Sequence, residues 1–468
     1  MPAEPERDTI VAIATPAGRG GIGIVRISGP EALACASALS APAHAPLPPR
    51  RPVLCTLTDP ETKSRLDEAL VTYFPAPRSY TGEDVVEIAA HGSPVLLEHL
   101  LRLLLVGGAR LAQPGEFTER SFLSGRLDLT QAEAVRDLID AQTLLGAQVA
   151  AQQLGGALSH RVAPYKTELI ALIATLEAGI DFAEDDTPVV SPDQLAQRLA
   201  ALDVSLASLE KSFEQGRLLT QGVTLAIVGR PNAGKSSLFN RLLARERAIV
   251  TAEPGTTRDT VQERLSLGGI PVELVDTAGL REAANEAERI GIVRSREAFA
   301  DAGLVLLVLD ATQPLNAEEL SLMEAAQGRP FFIALNKCDL LETELEIATV
   351  SGTVAEEVHR HAAANVLRTS AHTGDGLNAL RAAMTQALTG EGRIAPESAM
   401  LTNLRQHTAV RAAQAAIESA QIAASHAVPH EMLLLDLYAA LTALDSLTGT
   451  TTPDDILNLI FSTFCIGK

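Results

Sequence analysis

Basic residues are in short supply in this chain: 38 Lys and Arg stand against 58 Asp and Glu over 468 residues, a net charge of −20. A protein that grips nucleic acid over a broad surface of its own is usually basic, so any nucleic-acid partner is met through a local patch or a second protein. Cysteine is scarce too. The four thiols, Cys35, Cys55, Cys338 and Cys465, show no C-x-x-C or metal-ligand spacing, which suits a reducing, cytoplasmic setting. Apolar runs such as Leu304 to Leu309 are far too short to span a bilayer, so no membrane partner is expected. The first residues, MPAEPERD, are acidic and hold no apolar stretch, so no signal peptide is expected. What remains is 46% hydrophobic and 21% charged. That is enough to bury substantial cores, in a chain long enough for about three domains.

Three zones follow one another. Residues 1–124 alternate apolar stretches with turns, at Thr9 to Thr15, Ile22 to Ile27, Ala69 to Phe74 and Val85 to Ile88. With one helix near Ser93 to Val106 they read as an α+β domain. The Pro/Ala-rich stretch APAHAPLPPRRP before Val53 reads as a loop. Residues 125–218 turn to Ala, Leu, Gln and Glu at helical spacing, broken near Gly155-Gly156 and at the acidic stretch Glu184 to Pro188. Residues 219–388 alternate strands and helices, as in a parallel sheet with crossover helices. Residues 389–468 return to helix. The simplest architecture is a multidomain chain: an α+β N-terminal domain, then an all-α helical domain interrupted by an inserted α/β domain. Each helical flank alone would leave an apolar face exposed, so the two flanks are expected to pack together.

The inserted zone carries the chemistry. GRPNAGKS at 229–236 fits G-x-x-x-x-G-K-[ST] and lies between an apolar strand (223–228) and a helix. This arrangement aims backbone N–H groups and a helix N-terminus at phosphate oxygens. Lys235 should reach the β- and γ-phosphates, and the Ser236 hydroxyl a Mg²⁺ ion. Thr257 in the stretch GTTRD is the natural second Mg²⁺ ligand. Asp276 ends a strand and is followed by Thr277, Ala278 and Gly279, where a free N–H suits a γ-phosphate. Asn336-Lys-Cys-Asp339 follows another strand. A carboxylate at Asp339 can accept from guanine N1–H and N2–H₂. Adenine offers neither, so the pattern selects GTP and GDP. Ser370-Ala371 fits the loop that meets the guanine oxygen.

One position departs from the Ras-like arrangement. The residue after the DTAG motif, a Gln that orients water in Ras, is Leu280 here and cannot hydrogen-bond water. Glu282, Glu286 and Glu288 are the candidate replacements, with Arg258, Arg281 and Arg289 available to stabilise charge. Chemistry alone does not choose among them. A ribosome-assembly GTPase, a switch without modification chemistry, would share the loop and the DTAGL motif. It would usually carry an RNA-binding module or a second GTPase domain, and neither is visible.

The flanks carry a resemblance. DTIVAIATPAGRGGIGIVRISG, SYTGEDVVEIAAHG, PGEFTERSFLSGRLDLTQAEAV and CIGK (465–468) resemble the tRNA-modification GTPases of the MnmE (TrmE) family. The resemblance covers essentially the whole chain. It implies an N-terminal domain that dimerises and binds a tetrahydrofolate one-carbon donor, as the 5-formyl or 5,10-methylene form. It implies a homodimer, assembled with the FAD-dependent partner MnmG into a heterotetramer. That assembly modifies C5 of the wobble uridine (position 34) of certain tRNAs to an aminomethyl or carboxymethylaminomethyl product, with tRNA met largely through the partner.

Carried over by motif, the family's folate contacts fall on Arg26, Glu87, Arg126 and Lys468. Arg126 stands where some members carry Lys, which keeps the charge and not the geometry. Cys465 is either a functional thiol facing the folate or a small buried hydrophobe. K⁺ is implied in the place of an arginine finger as two GTPase domains pair. Its ligands would be the Asn232 side chain and the backbone of Thr251, Glu253 and Thr256. Glu288 matches the residue assigned to positioning water. The full expected nucleotide site is Asn232, Ala233, Gly234, Lys235, Ser236 and Ser237; Thr251, Ala252, Glu253, Pro254, Gly255, Thr256 and Thr257; Asp276 to Gly279; Asn336, Lys337 and Asp339; and Ser370 with Ala371.

Overall fold

The structure, a computed structural model, describes residues 8–42, 47–181, 191–246, 264–276, 302–326, 329–341, 343, 354, 356, 365–390, 399–426, 428–450, 457 and 460–467. At 41, 42, 181, 244–246, 275 and 276 only the backbone is described. The chain forms two compact units: Met1–Arg136 with Gln153–Leu206 and Thr408–Lys468, and Asp137–Gln152 with Ala207–His407. No helix among the described residues is long and apolar enough to cross a membrane.

The first unit opens with seven strands: β1 (Ile10–Ile13), β2 (Gly20–Ser28), β3 (Ser40–Pro42), β4 (Val53–Thr58), β5 (Arg65–Phe74), β6 (Val85–Gly92) and β7 (Arg110–Leu111). They form one sheet in the order β3-β4-β5-β6-β2-β1-β7. The helices Ala32–Leu39 and Pro94–Val106 supply the other layer of its core, where Val25, Ile27, Val86 and Ile88 meet Ala36, Leu97, Leu100 and Leu104. Strand side chains alternate between faces. Arg26 and Glu87, each between two inward residues, therefore lie on the opposite face. The β2–β6 register pairs them directly. A second, smaller cluster of Ile10, Ala12, Ala112 and Phe117, with Tyr80 packed against it, also forms in this unit.

The helical part of this unit holds the long helix Ala157–Asp181 against His430–Thr448. Lys166 pairs with Asp445 at 2.5 Å and Tyr438 donates to Glu177 at 2.6 Å. The helix Leu129–Ile139 starts on Asp128, whose carboxylate accepts from the Gln131 N–H at 2.9 Å while the Gln131 side chain accepts from Asp128 N–H at 3.0 Å. This reciprocal cap satisfies N–H groups that the first turn leaves without partners. Leu129 and Ala132 then pack on Leu457, Phe461 and Phe464.

The second unit holds β8 (Val223–Val228), β9 (Arg264–Leu267), β10 (Ile270–Asp276), β11 (Leu304–Asp310), β12 (Phe331–Asn336) and β13 (Asn365–Arg368), in the order β13-β12-β11-β8-β10-β9. All pairings are parallel except β9 with β10. The sheet expected as parallel thus has one antiparallel edge strand. A tight connection through Gly268 and Gly269, both at positive φ, makes that reversal possible. Both faces are covered. One buries Leu225, Ile227, Leu306 and Phe332 with the helices Lys235–Glu246 and Leu377–Thr389, and the other buries Ala226, Val228, Leu307 and Ile333 with Ala317–Ala325. Double burial explains why these strands read as unbroken apolar runs. β8 sits between β11 and β10, so chain crossovers leave it in opposite directions, and ligands favour the crevice at the carboxyl end of such a strand.

Candidate nucleotide-binding site

The loop after β8 occupies that crevice. Gly229 has φ +137°, and a Cβ there would lie 2.2 Å from the Val308 carbonyl oxygen of β11. Asn232 is in the left-handed region at φ +63°, a conformation Asn tolerates better than most residues. Gly234, at φ +97°, has no room for a Cβ, which would sit 2.1 Å from Asn336 Nδ2. The loop runs straight into the helix Lys235–Glu246, which has no acidic residue in its first turn, so its N-terminus keeps its preference for anions. Ser236 and Ser237 are exposed there. Lys235 Nζ donates to the carbonyls of Gly229 at 2.7 Å and Arg230 at 2.9 Å.

Asn336 ties the phosphate loop to the base loops. It is fully buried, donates through Nδ2 to Ala233 O at 2.8 Å, and accepts at Oδ1 from Ala371 N–H at 2.9 Å. A buried amide with both ends satisfied fixes three segments at once. In the Ser370-Ala371 loop, expected to meet the guanine oxygen, the Ala371 N–H is thus bonded to Asn336. Lys337 is left-handed at φ +66° and pairs through Nζ with Asp310 Oδ2 at 2.7 Å. Asp310 also accepts from Thr312 N–H at 3.0 Å and its hydroxyl at 2.7 Å. Burial pushes the Asp310 carboxyl up, but the bonds from Lys337 and Thr312 outweigh it and hold the group below its ordinary range. Asp339 follows in a short 3₁₀ turn, Cys338–Leu340. Burial raises the Cys338 thiol, whose Sγ donates to Leu335 O at 3.1 Å.

These elements enclose a cavity of about 380 Å³ lined by Gly234, Ser237, Asn336, Lys337, Asp339 and Ala371. The structure thus brings together the expected phosphate loop, base-reading carboxylate and second base loop. Ser370 is buried beneath, its N–H donating to Asp375 O at 3.0 Å. The backbone register sets Asp276 beside Ile227 of β8, one residue from the end of that strand. Thr251 to Thr257, Thr277 to Gly279, the Leu280 position and Glu288 with the other switch candidates lie outside the described residues. Lys468 lies outside them as well.

Arg26, Glu87 and the C-terminal segment meet in the first unit. Arg26 pairs with Glu87 Oε1 through Nε at 3.0 Å and Nη2 at 2.9 Å, and its Nη1 donates to Gly467 O at 3.4 Å. The guanidinium lies 5.2 Å from the Tyr80 ring centre and 5.7 Å from that of Phe117. Ile466 bridges Pro114, and Gly115 N–H donates to Cys465 O at 3.4 Å. Gly467 is buried at φ +99°, where a Cβ would meet Ile13 O at 2.4 Å. Arg126 is exposed in the turn after Ser124, a residue that abuts Gly82. Cys465 is exposed, which overturns the buried-hydrophobe reading: Phe464 and Gly467 take the inward positions and leave Cys465 and Ile466 outside.

Strand, glycine loop and helix, with Asn-Lys-x-Asp after a parallel neighbour, define a P-loop domain of the guanine-nucleotide-binding class. Two family models extend this to the flanks: "GTP-binding protein TrmE N-terminus" over residues 9–126 and "MnmE helical domain" over residues 129–465. The chain is 55% identical to the tRNA modification GTPase MnmE of Koribacter versatilis, over 98% of this chain and 99% of that protein. Against the MnmE of Heliobacterium modesticaldum it is 42% identical over 98% and 99%. A single-substitution variant of Aquifex aeolicus Era, solved bound to GDP·AlF4⁻, aligns at 23% identity over 42% of this chain and 66% of that one, with a TM-score of 0.30. The chain belongs to the MnmE (TrmE) family and is a tRNA modification GTPase.

Proposed function

We propose that this GTPase works as a K⁺-activated homodimer with an FAD-dependent, MnmG-type partner, and that together they modify C5 of the wobble uridine using a tetrahydrofolate one-carbon donor. The limits 1–124, 125–218, 219–388 and 389–468 belong to the same reading. The observation that carries the folate part is the meeting of Arg26, Glu87 and Gly467. A pterin edge presents paired N–H donors, as guanine does. Glu87 spends Oε1 on Arg26, and its other oxygen accepts no hydrogen bond among the described residues. The residues fit the group: Glu87 would take the pterin edge, and Arg126 and Lys468 suit its glutamate tail. Bound folate would supply the one-carbon unit. In cells lacking the chain, mass spectrometry should find wobble uridines without the C5 aminomethyl-type group, and a Glu87→Gln copy should not restore it. Unaltered wobble uridines in the deletion would rule out the modification role.

Support for the cation part comes from Asn232, left-handed and exposed at the apex of the phosphate loop. Mg²⁺ would be held by Ser236 and Thr257, and K⁺ by Asn232 with the backbone of Thr251, Glu253 and Thr256. Leu280 cannot orient water, and Glu288 is assigned that task. Hydrolysis should be roughly tenfold or more faster in KCl than in NaCl, because the cation takes a role that an arginine finger fills elsewhere. Glu288→Ala should lower turnover by about a hundredfold without weakening GTP binding. Equal rates in the two salts would remove the K⁺ assignment, and an unaffected Glu288→Ala rate would return the task to Glu282 or Glu286.

A further inference from the structure

The second residue of the phosphate loop is one of the positions that the G-x-x-x-x-G-K-S pattern leaves open, yet Arg230 is held more tightly than its neighbours. Its Nε donates to Glu319 Oε1 at 2.6 Å, and Nη2 donates to Glu319 Oε2 as well. Nη1 donates to Gln313 Oε1 at 2.9 Å, and Nη2 also reaches Pro314 O at 2.6 Å. All three nitrogens are committed to residues 313–319, which run from the loop after β11 into the first turn of the helix Ala317–Ala325, so Arg230 is not a phosphate ligand. Glu319 is fully buried. It also accepts from Asn316 N–H at 3.1 Å, while its own N–H donates to Asn316 Oδ1 at 2.8 Å. A buried carboxylate in such a bidentate pair has one low-energy geometry, and losing its partner leaves an uncompensated charge.

The same segment holds the base loop. Asp310, at its start, anchors Lys337. Asp310 and Glu319 thus bracket a stretch that grips the phosphate loop through Arg230 and the base loop through Lys337. The Arg230 carbonyl in turn accepts from Lys235 Nζ, which places the anchor one bond network away from the phosphate lysine. We propose that the segment Asp310 to Glu319 is a brace that sets the phosphate loop against the base loop, with Arg230 and Glu319 as positioning residues for nucleotide binding. This rests on GTP binding at the loop and is independent of the K⁺ and folate assignments.

The test uses the full chain, a fluorescent GDP analogue and thermal melting. Arg230→Gln and Glu319→Gln should each weaken the analogue by about tenfold or more, and the double variant should be no weaker than the worse single, because one interaction is lost in all three. Arg230→Lys keeps the charge and loses the fork, so its affinity should fall between wild type and Arg230→Gln. Gln313 is exposed, so Gln313→Ala should melt like wild type and bind about threefold more weakly, having lost a single bond to a charged donor. Lowered melting with affinity within about twofold of wild type, multiplicative losses in the double variant, or an unchanged Gln313→Ala affinity would each overturn the proposal.

Discussion

Asp339→Ala is expected to weaken GTP binding by at least about a hundredfold, because two hydrogen bonds to a charged acceptor vanish together. Asp339 stands at the exposed edge of its cavity, where water recovers part of the loss and holds the effect near that lower bound. Asp339→Asn is the sharper variant. It preserves size and replaces two acceptor oxygens by one oxygen and an amide. Guanine then faces a donor where it needs an acceptor, whereas xanthine offers a C2 carbonyl that accepts from that amide. GTP turnover should fall while XTP turnover rises, read in the same assay over a range of each nucleotide. If Asp339→Asn hydrolysed GTP with an unchanged KM, guanine would not be read at this carboxylate.

Gly234→Ala is expected to be as damaging by a different route. The position demands φ +97°, and the added carbon would lie 2.1 Å from Asn336 Nδ2. An exposed side chain could swing away. Asn336 is buried and bonded at both ends, so its movement breaks the link to Ala233 or to Ala371. Backbone strain and the lost bonds together come to roughly 3 kcal/mol or more, about a hundredfold in nucleotide affinity. The N-terminal sheet has its own core, so far-ultraviolet circular dichroism should stay close to wild type. Affinity for GDP within about threefold of wild type would show that the loop has room the geometry denies.

The phosphate loop, the Asn-Lys-x-Asp turn beside it and the paired strands around them were legible because each is local: a short motif or a run buried on both faces. Less local features were not. The helix Ala32–Leu39 is short and rich in small residues, with no side-chain cap, so it carries little periodic signal. β9 is brief, at four residues, although Gly268-Gly269 was a usable turn mark for it. The capping box Asn316-x-x-Glu319 was readable as a helix start. Nothing in its spacing points to Arg230, which lies 89 positions away. The Arg26–Glu87 pair needed a register that only the folded sheet supplies. Family likeness put Arg26 and the C-terminal motif on one ligand, and no pattern of residues alone would have joined them.

The contact between Arg26 and Gly467 spans 441 positions. A ribosome adding about 5 to 20 residues per second needs roughly 20 to 90 seconds to travel that far. The N-terminal sheet has all its strands within the first 111 residues and can form well before then. Throughout that interval Arg26 and Glu87 face solvent or other ligands on a folded surface, with one wall still to be made. Translation that stops before Gly467 leaves a domain with a sound core and Arg26 without its C-terminal contact. Synthesis through Gly467 is therefore itself a condition for building the Arg26 site, because one of the three contacts that fix the guanidinium arrives 441 residues after it.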